Sequence, residues 1–242
     1  MKYFPEWILK RRYINKGLRI SNNIYRNIVK MRVPRSKFQL EKVGSNYGGW
    51  YVPVKEIQSD WIIYSAGIGL DMTFDHGMVA KYGCQLFAFD PTPQSIAFVN
   101  RKQSEESVLE KLCFSPIGLW GSNATLRFYA PRTRGWAGSY SIHNLQGTED
   151  YFDAECKSIA TVMNDLGHHK IHLLKIDIEG AEYEVLDDLV KSHIEVDWLC
   201  VEFDQPVPFW TTEAMLERLR KAGFVLQMAD KWNLTFAHQR VL

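Results

Sequence analysis

Four side chains capable of acid–base or ligand chemistry stand at the ends of predicted strands: Asp177, Glu179, Glu202 and, in a separate segment, His143. Leu173, Leu174, Ile176 and Ile178 form a near-continuous apolar run, the pattern of a central strand covered on both faces. After Gly180 the apolar positions Ala181, Val185, Leu186 and Leu189 recur at helical spacing, which predicts a helix with Glu182, Glu184, Asp187 and Asp188 on its wet side. Asp177 and Glu179 therefore fall where a strand gives way to a helix. Open α/β sheets bind their ligands at that edge. A carboxylate there can take a proton, orient a hydroxyl or, with Glu202 on a neighbouring strand end, hold a divalent ion. Glu182 and Glu184 read instead as acidic residues favoured at a helix start.

The elements that must position these groups begin with Trp61–Ala66, a strand followed by Gly67-Ile68-Gly69 and a helix over about Asp71–Tyr82. A second strand, Gln85–Asp90, ends in an aspartate about twenty residues beyond the glycines. Strand, glycine turn, helix and strand-end carboxylate form a nucleotide-binding half of a doubly wound sheet, in which Asp90 is placed to accept from ribose hydroxyls. Pro91-Thr92-Pro93 opens a helix to about Lys102, and Leu112–Trp120 reads as a third strand with its loop. Short strands at Thr125–Tyr129 and Ser139–His143 flank an Arg/Gly/Trp-rich loop, Pro131–Gly138, placed for substrate contact. A strand near Ala154–Ile159 and a helix to Leu166 lead back to the central run. Val196–Asp204 is a further strand, and a helix over Thr212–Ala222 precedes a strand pair, Phe224–Met228 and Asn233–His238. His168 and His169 lie before a strand, at the opposite edge, and read as structural, as does His76 on the first core helix.

A dinucleotide site requires a third glycine, but Met72 occupies that position, and Tyr51–Lys55, the available tyrosine–lysine pair, precedes the first core strand. No glycine loop is followed by a phosphate-binding lysine. S-adenosylmethionine (SAM), which has no pyrophosphate, fits better. Ser65–Gly69, Phe89–Pro93 and the block Leu174-Lys175-Ile176-Asp177-Ile178-Glu179-Gly180-Ala181-Glu182 resemble the three signature blocks of FkbM-type methyltransferases over roughly residues 40–240. The resemblance implies a class I, Rossmann-like α/β fold with a mostly parallel sheet and an antiparallel C-terminal strand. It also implies SAM as cofactor and O-methylation of a sugar, glycan or other polyol-like hydroxyl. By the same analogy Gly67 and Gly69 contact the methionine part of SAM and Asp90 the ribose; Pro91 and Ile117 are counted with the cofactor-binding residues, and Trp120 could stack on the adenine or pack on the core. Class I enzymes carry an acidic residue two positions before the first glycine. Ser65 stands there in this chain, so either Asp71 takes over part of that contact, the expected outcome, or SAM is held differently or weakly. Methyl transfer to a hydroxyl needs an aligned acceptor and a base, for which Asp177 and Glu202 come first, then Glu179 and His143. Whether a divalent metal takes part is open. A non-catalytic binding module and an NAD-dependent oxidoreductase are the alternatives.

Composition sets the frame: 242 residues, 46% hydrophobic and 24% charged, suit one large domain with an extension. Cys84, Cys113, Cys156 and Cys200 are scattered, without metal-ligand spacing, and are expected reduced in a cytoplasmic chain. Of the 29 Lys/Arg and 28 Asp/Glu residues, eleven basic but only one acidic (Glu6) fall between Met1 and Lys37, so the remainder is net acidic. Residues 1–36 read as a basic amphipathic extension of one or two helices, with Ser21-Asn22-Asn23 able to cap the second. It could lie on an anionic membrane surface, grip an acidic glycan or pack on its own domain. Residues 37–242 form the catalytic domain, of which 37–60 is a hairpin and linker expected to close over the ligand edge. No nucleic-acid partner is expected.

Overall fold

The computed structural model of the protein describes residues 16–132, 140–144, 147–203 and 207–242. A helix, α1 (Lys16–Met31), precedes a hairpin of β1 (Leu40–Val43) and β2 (Trp50–Pro53). The core follows as β3 (Ile62–Ala66), α2 (Thr73–Tyr82), β4 (Gln85–Phe89), α3 (Pro93–Glu105) and β5 (Leu112–Ser115). An insertion then forms β6 (Gly118–Leu119), β7 (Ala124–Tyr129) and β8 (Tyr151–Lys157) before α4 (Ile159–Leu166). The chain returns as β9 (Ile171–Ile176), α5 (Glu182–Lys191), β10 (Val196–Glu202), α6 (Phe209–Lys221), β11 (Phe224–Asp230) and β12 (Asn233–His238).

Seven strands make the main sheet in the order β11-β12-β10-β9-β3-β4-β5. The five strands from β10 to β5 run parallel, and β12 is antiparallel to both β10 and β11. This is a doubly wound, Rossmann-like α/β sheet with an antiparallel C-terminal strand. Because β3 proceeds to β4 on one side and meets β9 on the other, the strand order reverses between β3 and β9. A crevice opens at the carboxyl ends of strands on either side of such a point. One core layer, including Leu174, Ile176, Tyr183 and Val201, packs on one face of the sheet, and a second, including Ile63, Leu86, Leu173 and Trp198, on the other. Tyr25 and Val29 bring α1 into the first layer, while Trp50 and Val52 bring the hairpin into the second.

Several boundaries differ from the expectations for local physical reasons. Ser21, Asn22 and Asn23 lie inside α1 and start no second helix: the Ser21 hydroxyl donates back to Leu18 O. Helix α2 starts at Thr73, since Asp71 Oδ1 accepts from both Thr73 N (2.9 Å) and Thr73 Oγ1 (2.6 Å). The expected third strand is broken at Pro116, and Gly118–Leu119 joins the separate sheet β6-β8-β7. Ser141 makes a single bridge to Tyr129, so no strand forms over residues 140–143. Strand β8 lies earlier than expected, and Ile159 already belongs to α4. On α5 the expected wet side is mostly closed: Glu182 and Asp187 are buried, Glu184 and Asp188 half-buried. Asp204 and most of the Pro131–Gly138 loop fall outside the described residues.

Candidate active site

A cavity of about 790 Å³ opens over the carboxyl ends of β3, β4, β9 and β10. Its floor is the Gly67–Asp71 turn, whose two glycines do different work. At Gly67 (φ 81°) a Cβ would stand 1.6 Å from the carbonyl oxygen of Asp177, so this glycine permits β3 and β9 to close together at their tips. At Gly69 (φ 57°) an added Cβ would meet no atom within 4 Å, because the residue faces the cavity.

Asp90 braces this turn from beneath. Its Oδ2 accepts from Ile68 N and Gly69 N, each at 2.9 Å, while Oδ1 accepts from Thr92 N (2.9 Å) and Thr92 Oγ1 (2.7 Å). An ionised carboxylate offers about four acceptor sites, and the chain itself uses all of them. Asp90 borders the cavity where the ribose acceptor is expected, and a ribose hydroxyl there would share its oxygens with, or displace, a turn amide or the threonine hydroxyl. Pro91 lies beside it on the cavity wall.

The hairpin closes one side, as its place in the chain predicted. Tyr47 and Gly48 border the cavity, and Ser45 Oγ donates to Asp71 Oδ2 at 2.6 Å. Partial burial works to raise the Asp71 carboxyl, but hydrogen bonds from Ser45, Thr73 and Gly48 outweigh it and hold the group below its ordinary value. Asp71 is thus a link between hairpin and turn as well as a wall residue.

The opposite wall comes from β9 and its exit. Asp177, half-buried, receives no strand partner beyond its amide, which donates to Ala66 O (3.1 Å). Two residues earlier, Lys175 is buried in the sheet yet reaches the cavity; its ammonium donates to the carbonyl of Gly67 and stands 3.8 Å from Asp177 Oδ2. Below it lies Asp75, completely buried, whose carboxyl is pushed up by that burial and pulled back by the Lys175 charge and the Ser65 hydroxyl. Lys175 and Asp75 were not singled out from sequence. A lysine interrupting Leu173-Leu174-Ile176 was the available signal, since an ammonium in a central strand has to find acceptors.

Glu179 (φ 54°) and Glu202 also border the cavity, and the Glu179 carbonyl accepts from Ser141 Oγ at 2.5 Å. Glu182 is a brace, with its two oxygens accepting from Ile178 N and Gly180 N at 2.9 Å each. From the insertion come Trp120, Tyr129, Tyr140, His143 and Asn144, of which Tyr129, Tyr140 and Asn144 were not anticipated. His143 is buried, with Nε2 3.2 Å from Gly180 O, and its burial lowers the imidazole to about 4. An imidazole that weakly basic serves as a neutral brace better than as a proton acceptor. Ile117 is displaced from the expected set: it packs half-buried against the core and is not on the cavity wall. Among the described residues, no three or more His, Cys, Asp or Glu side chains converge as metal ligands.

Comparison with known proteins gives this edge a family. The segment of residues 66–226 matches the methyltransferase FkbM domain, and it carries the glycine turn, Asp90 and the β9 exit. Probable methyltransferase-like protein 24 of Rattus norvegicus is 27% identical over 132 residues, and that of Homo sapiens 25% over 132 residues. Each match covers 54% of this chain and 29% of the relative, so the chain spans under a third of the curated relatives it matches. Among solved structures, precorrin-6y C5,15-methyltransferase from Geobacter metallireducens aligns over 76% of this chain and 84% of its own, at 10% identity and a TM-score of 0.46. The N-terminal domain of human METTL16 in complex with SAH aligns over 76% and 64%, at 8% identity and a TM-score of 0.45. With about two thirds of its length matched by the family's own pattern, this chain belongs to the FkbM methyltransferase domain family.

Proposed function

We propose that the chain is a SAM-dependent methyltransferase that methylates a hydroxyl of a sugar, glycan or other polyol-like acceptor. The observation that carries this reading is the meeting, in one cavity, of an open glycine turn at Gly69 with the half-buried carboxylates Asp177, Glu179 and Glu202. Bound SAM supplies an activated methyl carbon, so the protein need only align an oxygen and accept its proton. Gly69 leaves space for the methionine part, and Trp120 offers a flat apolar face on the same wall for an adenine. Asp177, adjoining the turn, takes the acceptor proton on its carboxylate, while Lys175 keeps that carboxylate oriented. Glu202, Glu179 and the Tyr140 hydroxyl orient the other hydroxyls of a polyol, which a wall rich in acceptors suits. Burial of His143 as a neutral ring fits it to hold the insertion in place.

Calorimetry with SAM, its demethylated product and NAD tests the cofactor, and a screen of glycan and polyol acceptors, with and without EDTA, tests the reaction. SAM and product are expected to bind, NAD not, and methyl transfer to survive EDTA. Absence of SAM and product binding would sink the reading. Binding without transfer to any hydroxyl would favour a non-catalytic module, the alternative to which the fully occupied Asp90 carboxylate gives some support. Loss of transfer in EDTA, restored by a divalent cation, would make Asp177 and Glu202 ion ligands instead.

A further inference from the structure

Helix α1 carries more apolar surface than its packing uses. One face is committed: Leu18, Tyr25 and Val29 are buried, Asn22 Nδ2 donates to Val207 O at 2.8 Å, and Tyr25 and Arg32 both bond Glu213 of α6. These contacts fix the helix on α6 and β11, so its remaining faces have a set orientation. A second stripe, Ile20, Ile24, Ile28 and Met31, recurs at i, i+4, i+8 and i+11 and faces solvent, with Ile24 59% and Met31 78% exposed. A third line, Arg19, Arg26 and Lys30, runs parallel to it, separated by Asn23 and Asn27. A soluble helix needs one apolar stripe. This one has two, and the uncovered stripe has cations alongside.

We infer that α1 is an in-plane docking helix for an anionic lipid surface, with Ile20, Ile24, Ile28 and Met31 entering the headgroup boundary and Arg19, Arg26 and Lys30 meeting lipid phosphates. This inference is independent of the proposed reaction. The charge is complementary to anionic lipid, and lipid also covers the isoleucines, whereas an acidic polymer would engage the arginines and leave them wet. At 16 residues the helix is about 24 Å long, enough to lie on a bilayer and short of crossing one. No helix among the described residues is long and apolar enough to span a membrane. The segment as a whole has the same sign: through Lys37 it carries eleven Lys/Arg against Glu6.

The test is co-sedimentation of the full chain with phosphatidylcholine vesicles, with and without one third phosphatidylserine, at low and high salt. Retention on the phosphatidylserine vesicles is expected, weakening with salt. The pair Ile24→Glu with Met31→Glu should lower partitioning by about tenfold or more while leaving the melting temperature unchanged, since both side chains are exposed. Should added charge unfold the chain, Ile24→Ser with Met31→Ser reads the same loss. Arg19→Glu with Lys30→Glu should remove the preference for phosphatidylserine. Absence of vesicle binding by the unaltered chain overturns the inference, as does equal binding by the apolar-stripe variants. Retention on heparin without retention on vesicles would assign α1 to an acidic polymer. A dimer in sedimentation velocity that dissociates on Ile24→Glu, without vesicle binding, would assign the stripe to a second copy.

Discussion

The two ends of the parallel strands treat charge in opposite ways. At the amino ends several polar groups are paired within the fold. His172 Nδ1 accepts from Ile62 N at 2.9 Å, and His168 Nδ1 meets Tyr64 Oη at 2.8 Å. Asp197, buried, lies between Lys170 Nζ (2.7 Å) and Arg240 Nε (3.0 Å). At the carboxyl ends Asp71, Asp177, Glu179 and Glu202 gather around one cavity, and Lys175 is the one cation among the described residues of its wall. Opposed charges at the first end lower the energy of the fold. The second end collects carboxylates around a single ammonium, with Asp71 held by hydrogen bonds and Asp177 beside Lys175, the kind of cleft in which charged groups serve chemistry. Stability and activity should therefore separate between the two ends.

The largest expected effect is at the crowded end. Asp177→Asn should reduce methyl transfer by about 10²–10⁴-fold while leaving SAM binding nearly intact. The melting temperature should fall only slightly, because Lys175 loses one counter-charge but retains the Gly67 carbonyl. Initial rates with a competent acceptor, beside thermal unfolding, read both. A large loss of stability with little loss of rate would place Asp177 among the structural groups and dissolve the contrast.

His143 sharpens the comparison through pH. Its imidazole is held at about 4 in the folded protein against an ordinary 6.5, by burial first of all. Between those values the unfolded chain binds the proton preferentially. The stabilisation is thus complete above about pH 6.5 and is lost as pH falls toward 4, a change of about 2–3 kcal/mol. Urea unfolding at pH 7.5 and 4.5 should show that loss in the unaltered protein and a curve flatter by this amount in His143→Gln. The difference between proteins isolates the imidazole from Asp75, whose burial raises its carboxyl and gives a slope of opposite sign. His168 and His172 are also lowered by burial but are less enclosed, so their contribution has the same sign and is smaller. Parallel curves for the two proteins would mean that His143 is not the sensor.

The paired end gives the converse experiment. Asp197→Asn leaves Lys170 and Arg240 without their shared carboxylate and should cost about 2 kcal/mol, below a fully enclosed pair because both cations are partly exposed. Transfer rate at a temperature well below unfolding should stay unchanged. A rate loss comparable to that of Asp177→Asn would show that both ends feed the site.

Periodicity made most of the scaffold readable. The apolar run before Asp177, the glycines at 67 and 69 and the aspartate ending β4 identify strand, turn and sheet edge without any coordinates. What failed depended on partners that periodicity does not name. The brace from Ser45 to Asp71 joins residues 26 apart, and the choice of Asp90 to hold its own turn cannot be told from a ribose contact by spacing. Ile117 was misplaced because Pro116 ends β5 and the next residues pair with β8, which turns the side chain toward the core. Glu182 looked like a solvated helix start, yet it satisfies two amides in the β9 exit. Tyr140 and Asn144 reach the cavity through an insertion whose loop pattern carries no period to read.

A small effect on the fold is expected at Gly69, which divides the glycine turn itself along the same line. Gly69→Ala places a Cβ in open space, so its cost is the left-handed backbone alone, about 1 kcal/mol. Gly67→Ala drives a Cβ against the Asp177 carbonyl, a backbone atom that cannot move without parting β3 from β9, and should yield little folded protein. The Gly69 variant is expected to melt only slightly lower yet to bind SAM at least about tenfold more weakly, since the new methyl occupies space the cofactor needs. Wild-type affinity in calorimetry would mean that the cofactor lies elsewhere along the turn. The open volume above Gly69 would then belong to the acceptor.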